Sequence, residues 1–193
     1  MNKKIILLVV FVLVALAQLY VPAKMIWDRE EIIETGSVYL FKTAPIDPTD
    51  PFRGKYITLS FVNDRYKVTD DSHWVRGEII YVSITKNASG VASIESVSKT
   101  PPNSGLDYFQ ASIRYVTGKD QPTLTIEFPF DRYYMEESKA FEAEVVYRES
   151  RRDTSMTAHA VVKVKDGESV LEDVLIDGKS IREVVKENRV DED

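Results

Sequence analysis

The stretch Ala158-His159-Ala160-Val161-Val162-Lys163-Val164-Lys165-Asp166-Gly167, with the run Val170 to Ile176 behind it, decides the fold. Ala158, Ala160, Val162 and Val164 recur at every second position, the period at which side chains line one face of a strand. Asp166-Gly167 follows at once. This pair predicts a two-residue hairpin turn, because glycine reaches positive φ without a Cβ clash. Val170 to Ile176 is then the return strand, and Asp177-Gly178 marks a second turn.

The same period spreads upstream. Ile57, Leu59 and Phe61 share one face of the run Tyr56 to Val62, and Tyr56, Thr58 and Ser60 share the other. Ile80, Val82 and Ile84 alternate within Glu78 to Thr85, and Asn87-Ala88-Ser89-Gly90 reads as a hairpin loop into Val91 to Ser98. Phe109, Ala111, Ile113 and Tyr115 alternate with Gln110, Ser112 and Arg114. Leu124, Ile126 and Phe128 form another face before Pro129 stops it. Ser37 to Lys42 is β-branched and aromatic, and Thr43 to Gly54, with Pro45, Pro48 and Pro51, is turn-rich. Glu136 to Arg148 reads as the one main helix, rich in Glu, Ala and Lys, with Tyr134, Phe141 and Val145 on one stripe. The predicted class is mainly β (α+β), a β-rich sandwich or partly closed barrel of about eight strands. The charged tail from Arg182 onward is expected to fray.

The chain has 193 residues, 44% hydrophobic and 29% charged, an ordinary globular composition with room for one domain. Formal charge is −6, and the first 21 residues hold two lysines and no acid, so the remainder carries −8. A net-acidic body without a basic cluster is a poor match for nucleic acid, which demands Lys and Arg concentrated on one face. With no cysteine, disulfides, thiolate metal sites and cysteine catalysis are excluded together.

Lys3-Lys4 precede an uncharged, mostly apolar run from Ile5 to Val21, interrupted by Gln18. About 17 helical residues cover ~25 Å, a little under the ~30 Å of a hydrocarbon core, with Pro22 and Ala23 at the interface. Tyr20 and Trp27 lie where interfacial aromatics are expected. The retained anchor is the favoured reading; the competing one is a signal peptide cleaved after Ala17, since Ala15-Leu16-Ala17 is small-x-small. The positive-inside tendency sends everything after Pro22 to the extracytoplasmic side. Residues 1–4 are thus read as a cytoplasmic N-terminus and 5–23 as a transmembrane signal-anchor in the cytoplasmic (inner) membrane. Residues 24–36 follow as a short charged continuation or linker, 37–181 as the extracytoplasmic β-rich domain and 182–193 as a charged tail.

Several segments together carry a resemblance. They are Gln18-Leu19, Pro45-Ile46-Asp47-Pro48 through Arg53-Gly54-Lys55-Tyr56-Ile57-Thr58-Leu59-Ser60-Phe61, and Phe130-Asp131-Arg132-Tyr133-Tyr134-Met135-Glu136-Glu137, closed by Val162 to Gly167 and Leu175 to Gly178. The chain resembles the bacterial GDYXXLXY family across most of its length. Gly54, Tyr56 and Leu59 keep the name motif, whereas Lys55 replaces its Asp and Phe61 its final Tyr. The resemblance implies a membrane-tethered extracytoplasmic domain, often encoded beside a multi-spanning membrane protein. It implies no reaction.

The candidate binding or structural motif comprises Asp47, Asp50, Arg53, Gly54, Tyr56, Tyr133, Tyr134 and Glu136. Asp47 and Asp50 are three apart in a proline-stiffened loop, which offers oxygen ligands for a hard cation or, as the favoured reading, two turn caps. Arg53 needs an acceptor, Tyr56 faces away from its strand's apolar row, and Tyr133-Tyr134 with Glu136-Glu137 offers phenols and carboxylate, so these groups are expected to converge. The sequence lacks a Gly-x-Ser-x-Gly elbow, a His-Glu-x-x-His zinc motif, a phosphate loop and a dinucleotide fingerprint. His73 and His159 are expected to be structural or solvated. No cofactor or metal is expected. The preferred reading is a non-enzymatic interaction or accessory domain, tethered by residues 5–23 in the lipid bilayer and serving a multi-spanning membrane protein or envelope assembly. The alternative is an envelope hydrolase using carboxylates near Asp47, Asp50, Glu136 and Glu137.

Overall fold

The computed structural model describes residues 3–44, 56–69, 73–118, 121–134 and 157–190. It opens with helix α1, Lys3–Thr35, one helix long and apolar enough to cross a membrane. The large apolar side chains from Ile5 to Val21 are exposed around its circumference. Pro22 lies inside the helix, where its missing N–H removes one backbone bond. The charged continuation expected through residue 36 stays helical to Thr35, and Gly36 ends it, its N–H bonded to the Ile32 carbonyl at 2.9 Å. A Cβ on Gly36 would stand 2.5 Å from that carbonyl oxygen and 3.2 Å from that of Val164, so glycine is required for this close approach.

Strand β1, Ser37–Ala44, follows directly, then β2 Tyr56–Thr58, β3 Ser60–Phe61, β4 Arg65–Lys67, β5 Ile79–Lys86 and β6 Ala92–Ser98. Next come β7 Tyr108–Thr117, β8 Thr123–Glu127, β9 Arg132–Tyr134, β10 Ala158–Lys165, β11 Glu168–Ile176 and β12 Lys179–Ser180, closed by helix α2, Ile181–Val190. One sheet runs β12-β11-β10-β1-β3, a second runs β4-β8-β7-β5-β6, and β2 and β9 make a separate ribbon. The second sheet curls until its edges meet, the Tyr66 hydroxyl on β4 donating to the Glu95 carbonyl on β6 at 3.1 Å. The sheets are joined where Leu40 N–H donates to the Gly90 carbonyl and Gln110 N–H to the Gly167 carbonyl, both at 2.9 Å. The strand-rich, partly closed architecture agrees with the alternation in the sequence. Twelve strands occur among the described residues rather than about eight, five of them only two or three residues long.

The core is aromatic at its centre. Phe41 of β1 has Phe61, Phe109, Phe128 and Phe130 around it at ring-centroid distances of 6.1, 6.0, 5.7 and 4.9 Å. Edge-to-face and tilted packing of this kind suits the ring quadrupole. Ile57, Leu59 and Phe61 are buried on one face, as their spacing predicts. At Leu59 the strand bends, its N–H donating to the Asp131 carbonyl at 2.7 Å. Residues before the bend pair with β9, and those after it pair with Thr43 and Ala44 of β1.

The helix expected over residues 136–148 lies outside the described residues. The tail expected to fray from Arg182 is instead α2 over Ile181–Val190, because Ile181 and Val185, four apart, are both buried in the core. Its exposed charges concealed a short apolar stripe.

The end of α1 is fastened to the β10–β11 hairpin. Lys165 Nζ contacts Glu31 Oε1 at 2.6 Å and donates to Thr35 Oγ1 at 2.9 Å. Arg29 donates to the Ser169 carbonyl at 3.1 Å and pairs with Glu168 at 3.5 Å. Such exposed ion pairs are each worth ~0–1 kcal/mol. Burying Ile32 contributes ~1.5–3 kcal/mol, so the apolar contact dominates and the charges set the register.

Candidate functional site

The ribbon brings three of the sequence-selected residues together. In its antiparallel register Tyr56 faces Tyr134, Ile57 faces Tyr133 and Thr58 faces Arg132. Alternation therefore divides it into two faces, with Tyr56, Thr58, Arg132 and Tyr134 outward and Ile57 and Tyr133 inward. On the outer face the Tyr56 and Tyr134 rings lie 5.5 Å apart at a 58° tilt, and the Arg132 guanidinium sits 5.0 Å from the Tyr56 ring centroid. A side-chain hydrogen bond to Tyr134 and the nearby Asp131 carboxylate reinforce the charge on Arg132. Tyr134 remains 61% exposed, so the ledge presents aromatic surface and a cation to its surroundings.

On the inner face Tyr133 is buried, and its hydroxyl is fully used. It donates to Asp173 Oδ1 at 3.0 Å and accepts from Arg182 Nε at 2.7 Å. A β-bulge aims Asp173 at this point. Val161 pairs with Asp173 but Val162 pairs with Leu171, leaving Glu172 as the extra residue on β11. Burial and then the Asp173 charge push the Tyr133 phenol up to about 12, against the opposing pull of Arg182. At neutral pH this group keeps the proton that it donates to Asp173, and the two bonds fasten the ribbon to β11 and α2. Tyr39 is held the same way, buried and donating to Asp107 Oδ2 at 2.8 Å, its phenol also up to about 12.

Asp47, Asp50, Arg53, Gly54, Glu136 and Glu137 lie outside the described residues. Of the groups expected to converge with them, Tyr56 and Tyr134 share the outer face of the ribbon, and Tyr133 lies on its inner face. Asp173, Arg182 and Arg132 are the neighbours that sequence reasoning missed. The available signal for Asp173 was a lone pair of acids, Glu172-Asp173, inside an otherwise apolar return strand.

Among the described residues no group of three or more His, Asp or Glu side chains could hold a metal ion. His159, half-buried opposite Lys42, is pushed below the usual imidazole value by burial and by that lysine. The His73 carbonyl accepts from Lys99 Nζ at 2.6 Å, and Lys99 in turn lies 5.0 Å from the Trp74 ring centroid and pairs with Glu78 at 2.7 Å. This cluster ties down a loop. Chemically, the ledge can stack, accept and donate hydrogen bonds and offer one positive charge, which is the composition of a contact surface.

A family model described as GDYXXLXY protein matches residues 18–174. No curated protein and no solved structure matches the chain. The name motif has a structural logic in the fold: Tyr56 builds the ledge, Leu59 marks the bend in the core, and Phe61 packs against Phe41, Phe128 and Phe130. A ring surrounded by other phenyl rings has no need of the hydroxyl that the motif's final Tyr carries.

Proposed function

This chain belongs to the GDYXXLXY protein family, and from that premise we propose that it is a membrane-anchored extracytoplasmic interaction domain working through a membrane-protein partner. The observation that carries this reading is α1. A helix with its apolar side chains exposed all round from Ile5 to Val21 would be strongly disfavoured in water, and it runs unbroken into a clamp on a folded β domain. Lys3 and Lys4 ahead of the apolar run favour an N-terminus on the cytoplasmic side of the inner membrane and the β domain outside. The ledge of Tyr56, Arg132 and Tyr134 is the contact surface of this reading, with residue types common at interface hot spots.

Two experiments on the full chain test it. A topology reporter fused after Asp193 is expected to be active only outside the cytoplasm; activity inside the cytoplasm overturns the orientation. A photo-crosslinking residue at Tyr134, followed by mass spectrometry from intact membranes, is expected to capture one integral membrane protein. Capture of the same set of proteins from a probe at Val75, on a different surface, overturns the assignment of the ledge.

A further inference from the structure

We infer that the hairpin end of the β domain, around Asp166 and Leu106, rests on the zwitterionic headgroup layer of the bilayer, with the opposite end, near Ala44 and Ala158, facing away from it. This rests on the anchoring proposed above and adds the direction in which the domain faces.

The apolar surface of α1 does not stop at Val21. Met25, Ile26 and Trp27 are 64%, 68% and 75% exposed, and from Ile5 to Trp27 the polar interruptions are Gln18 and Lys24. Those 23 residues span ~34 Å at ~1.5 Å each, enough for a ~30 Å hydrocarbon core with Trp27 at its interface. The clamp begins within the next turn, at Arg29 and Glu31. The hairpin therefore grips the helix at headgroup level.

The direction of the strands follows from the order of contacts. Gly36 lies against Val164, Lys165 reaches Thr35 and Glu31, and Asp166 and Glu168 share a groove with Asp28. Successive residues of β10 thus meet successively earlier turns of α1, so β10 descends toward the membrane and its turn is the lowest point. Tyr108 packs against Gly167, which puts the neighbouring Leu106 at the same level. Strand β1, antiparallel to β10, climbs away, and its last residue Ala44 pairs with Ser60. From Ser37 to Ala44 is ~24 Å at ~3.4 Å per residue. The ribbon lies beside the middle of this sheet, where Tyr133 meets Asp173, in register with Val161 and Leu40.

The chemistry of the low end suits a zwitterionic surface. Lys24 pairs with Asp28, Arg29 with Glu168 and Lys165 with Glu31, so these cations are matched within the protein, and Asp166 adds a further acid. A polybasic site for anionic lipid would have unmatched cations instead.

The absence of cysteine allows single-cysteine labelling of the full chain. Asp166→Cys and Leu106→Cys report the low end, and Val62→Cys and Thr157→Cys the far end. In vesicles of phosphatidylcholine and phosphatidylethanolamine containing headgroup-spin-labelled lipid, the low pair should be quenched several-fold more than the far pair. The triple variant Arg29→Ala/Ile32→Ala/Lys165→Ala, which removes the apolar contact of the clamp with its ion pairs, should still float with the vesicles while the contrast between the pairs shrinks. Equal quenching at both ends of floating protein overturns the inference and leaves the anchoring intact, as does a contrast that persists unchanged in the triple variant. Protein that fails to float overturns the anchoring and the docking with it. Strong low-end quenching that appears only after phosphatidylglycerol is added replaces the zwitterionic surface by an anionic one and overturns the proposal as stated.

Discussion

Arg182 and Tyr133 stand 49 residues apart in the chain and meet at 2.7 Å, the guanidinium Nε donating to the phenol oxygen. The same oxygen donates its proton to Asp173, so one hydroxyl joins the ribbon, β11 and α2. Tyr133→Phe should leave Asp173 without that donor and Arg182 without that acceptor. The expected loss is ~1–3 kcal/mol of unfolding free energy, read by urea denaturation. An unchanged midpoint would show that the node contributes nothing to holding α2.

Alkaline pH should reveal the two fastened phenols. Tyr39 and Tyr133 both titrate at about 12 in the fold, burial being the larger cause in each, with Asp107 and Asp173 adding to it. An unfolded tyrosine titrates near ~10. Because the folded value is the higher one, this contribution to stability is complete below pH ~10 and is lost as pH rises through about 12. Ultraviolet absorbance titration should show late-ionising tyrosines among the ten, and Tyr133→Phe should remove part of the late phase. Simultaneous ionisation of all ten near pH ~10 would contradict it.

The phenylalanine cluster predicts where the domain is least tolerant. Phe41→Ala removes the ring that four others surround and should cost ~3–5 kcal/mol, and Ile57→Ala or Leu59→Ala ~2–5 kcal/mol each. Denaturant midpoints of the full chain in detergent are the measurement. Losses under ~1 kcal/mol at all three would mean that the two sheets do not share this core.

Tyr134→Ala separates a contact role from a structural one. The ring pair with Tyr56 is worth ~0.5–1.5 kcal/mol, so melting should move little, while crosslinking or co-purification with the membrane partner should fall sharply. A large fall in stability with capture unchanged would make the ledge a strut.

Gly36→Ala tests the junction between helix and domain. Its Cβ would strike the Ile32 carbonyl at 2.5 Å, and both the helix and β1 are fixed on either side. Destabilisation with increased protease access near Thr35 is expected. Wild-type stability and protection would mean that α1 can move relative to β1 without cost.

Periodicity of two is a local property, and the sequence alone marks Ile57, Leu59 and Phe61 as one buried face and Ala158 to Val164 as a hairpin strand. Asp166-Gly167 was equally legible, since both residues take the positive φ that a tight turn between twisted strands requires, 51° and 86°. The apolar run Ile5 to Val21 also spoke for itself, because a membrane span is decided by composition over one helix. Residue chemistry suggested that Tyr56 and Tyr134 meet, but only the tertiary structure gave their register as strand partners and set Arg182 upon Tyr133, since pairing across some 78 residues of chain is not fixed by either segment alone. The bulge at Glu172 that aims Asp173, and the buried pair Ile181 and Val185 that makes a helix of a charged tail, are likewise consequences of packing. Short-range alternation determines which face of a strand is buried, whereas the identity of its partner depends on loop closure and core fit summed over the whole chain.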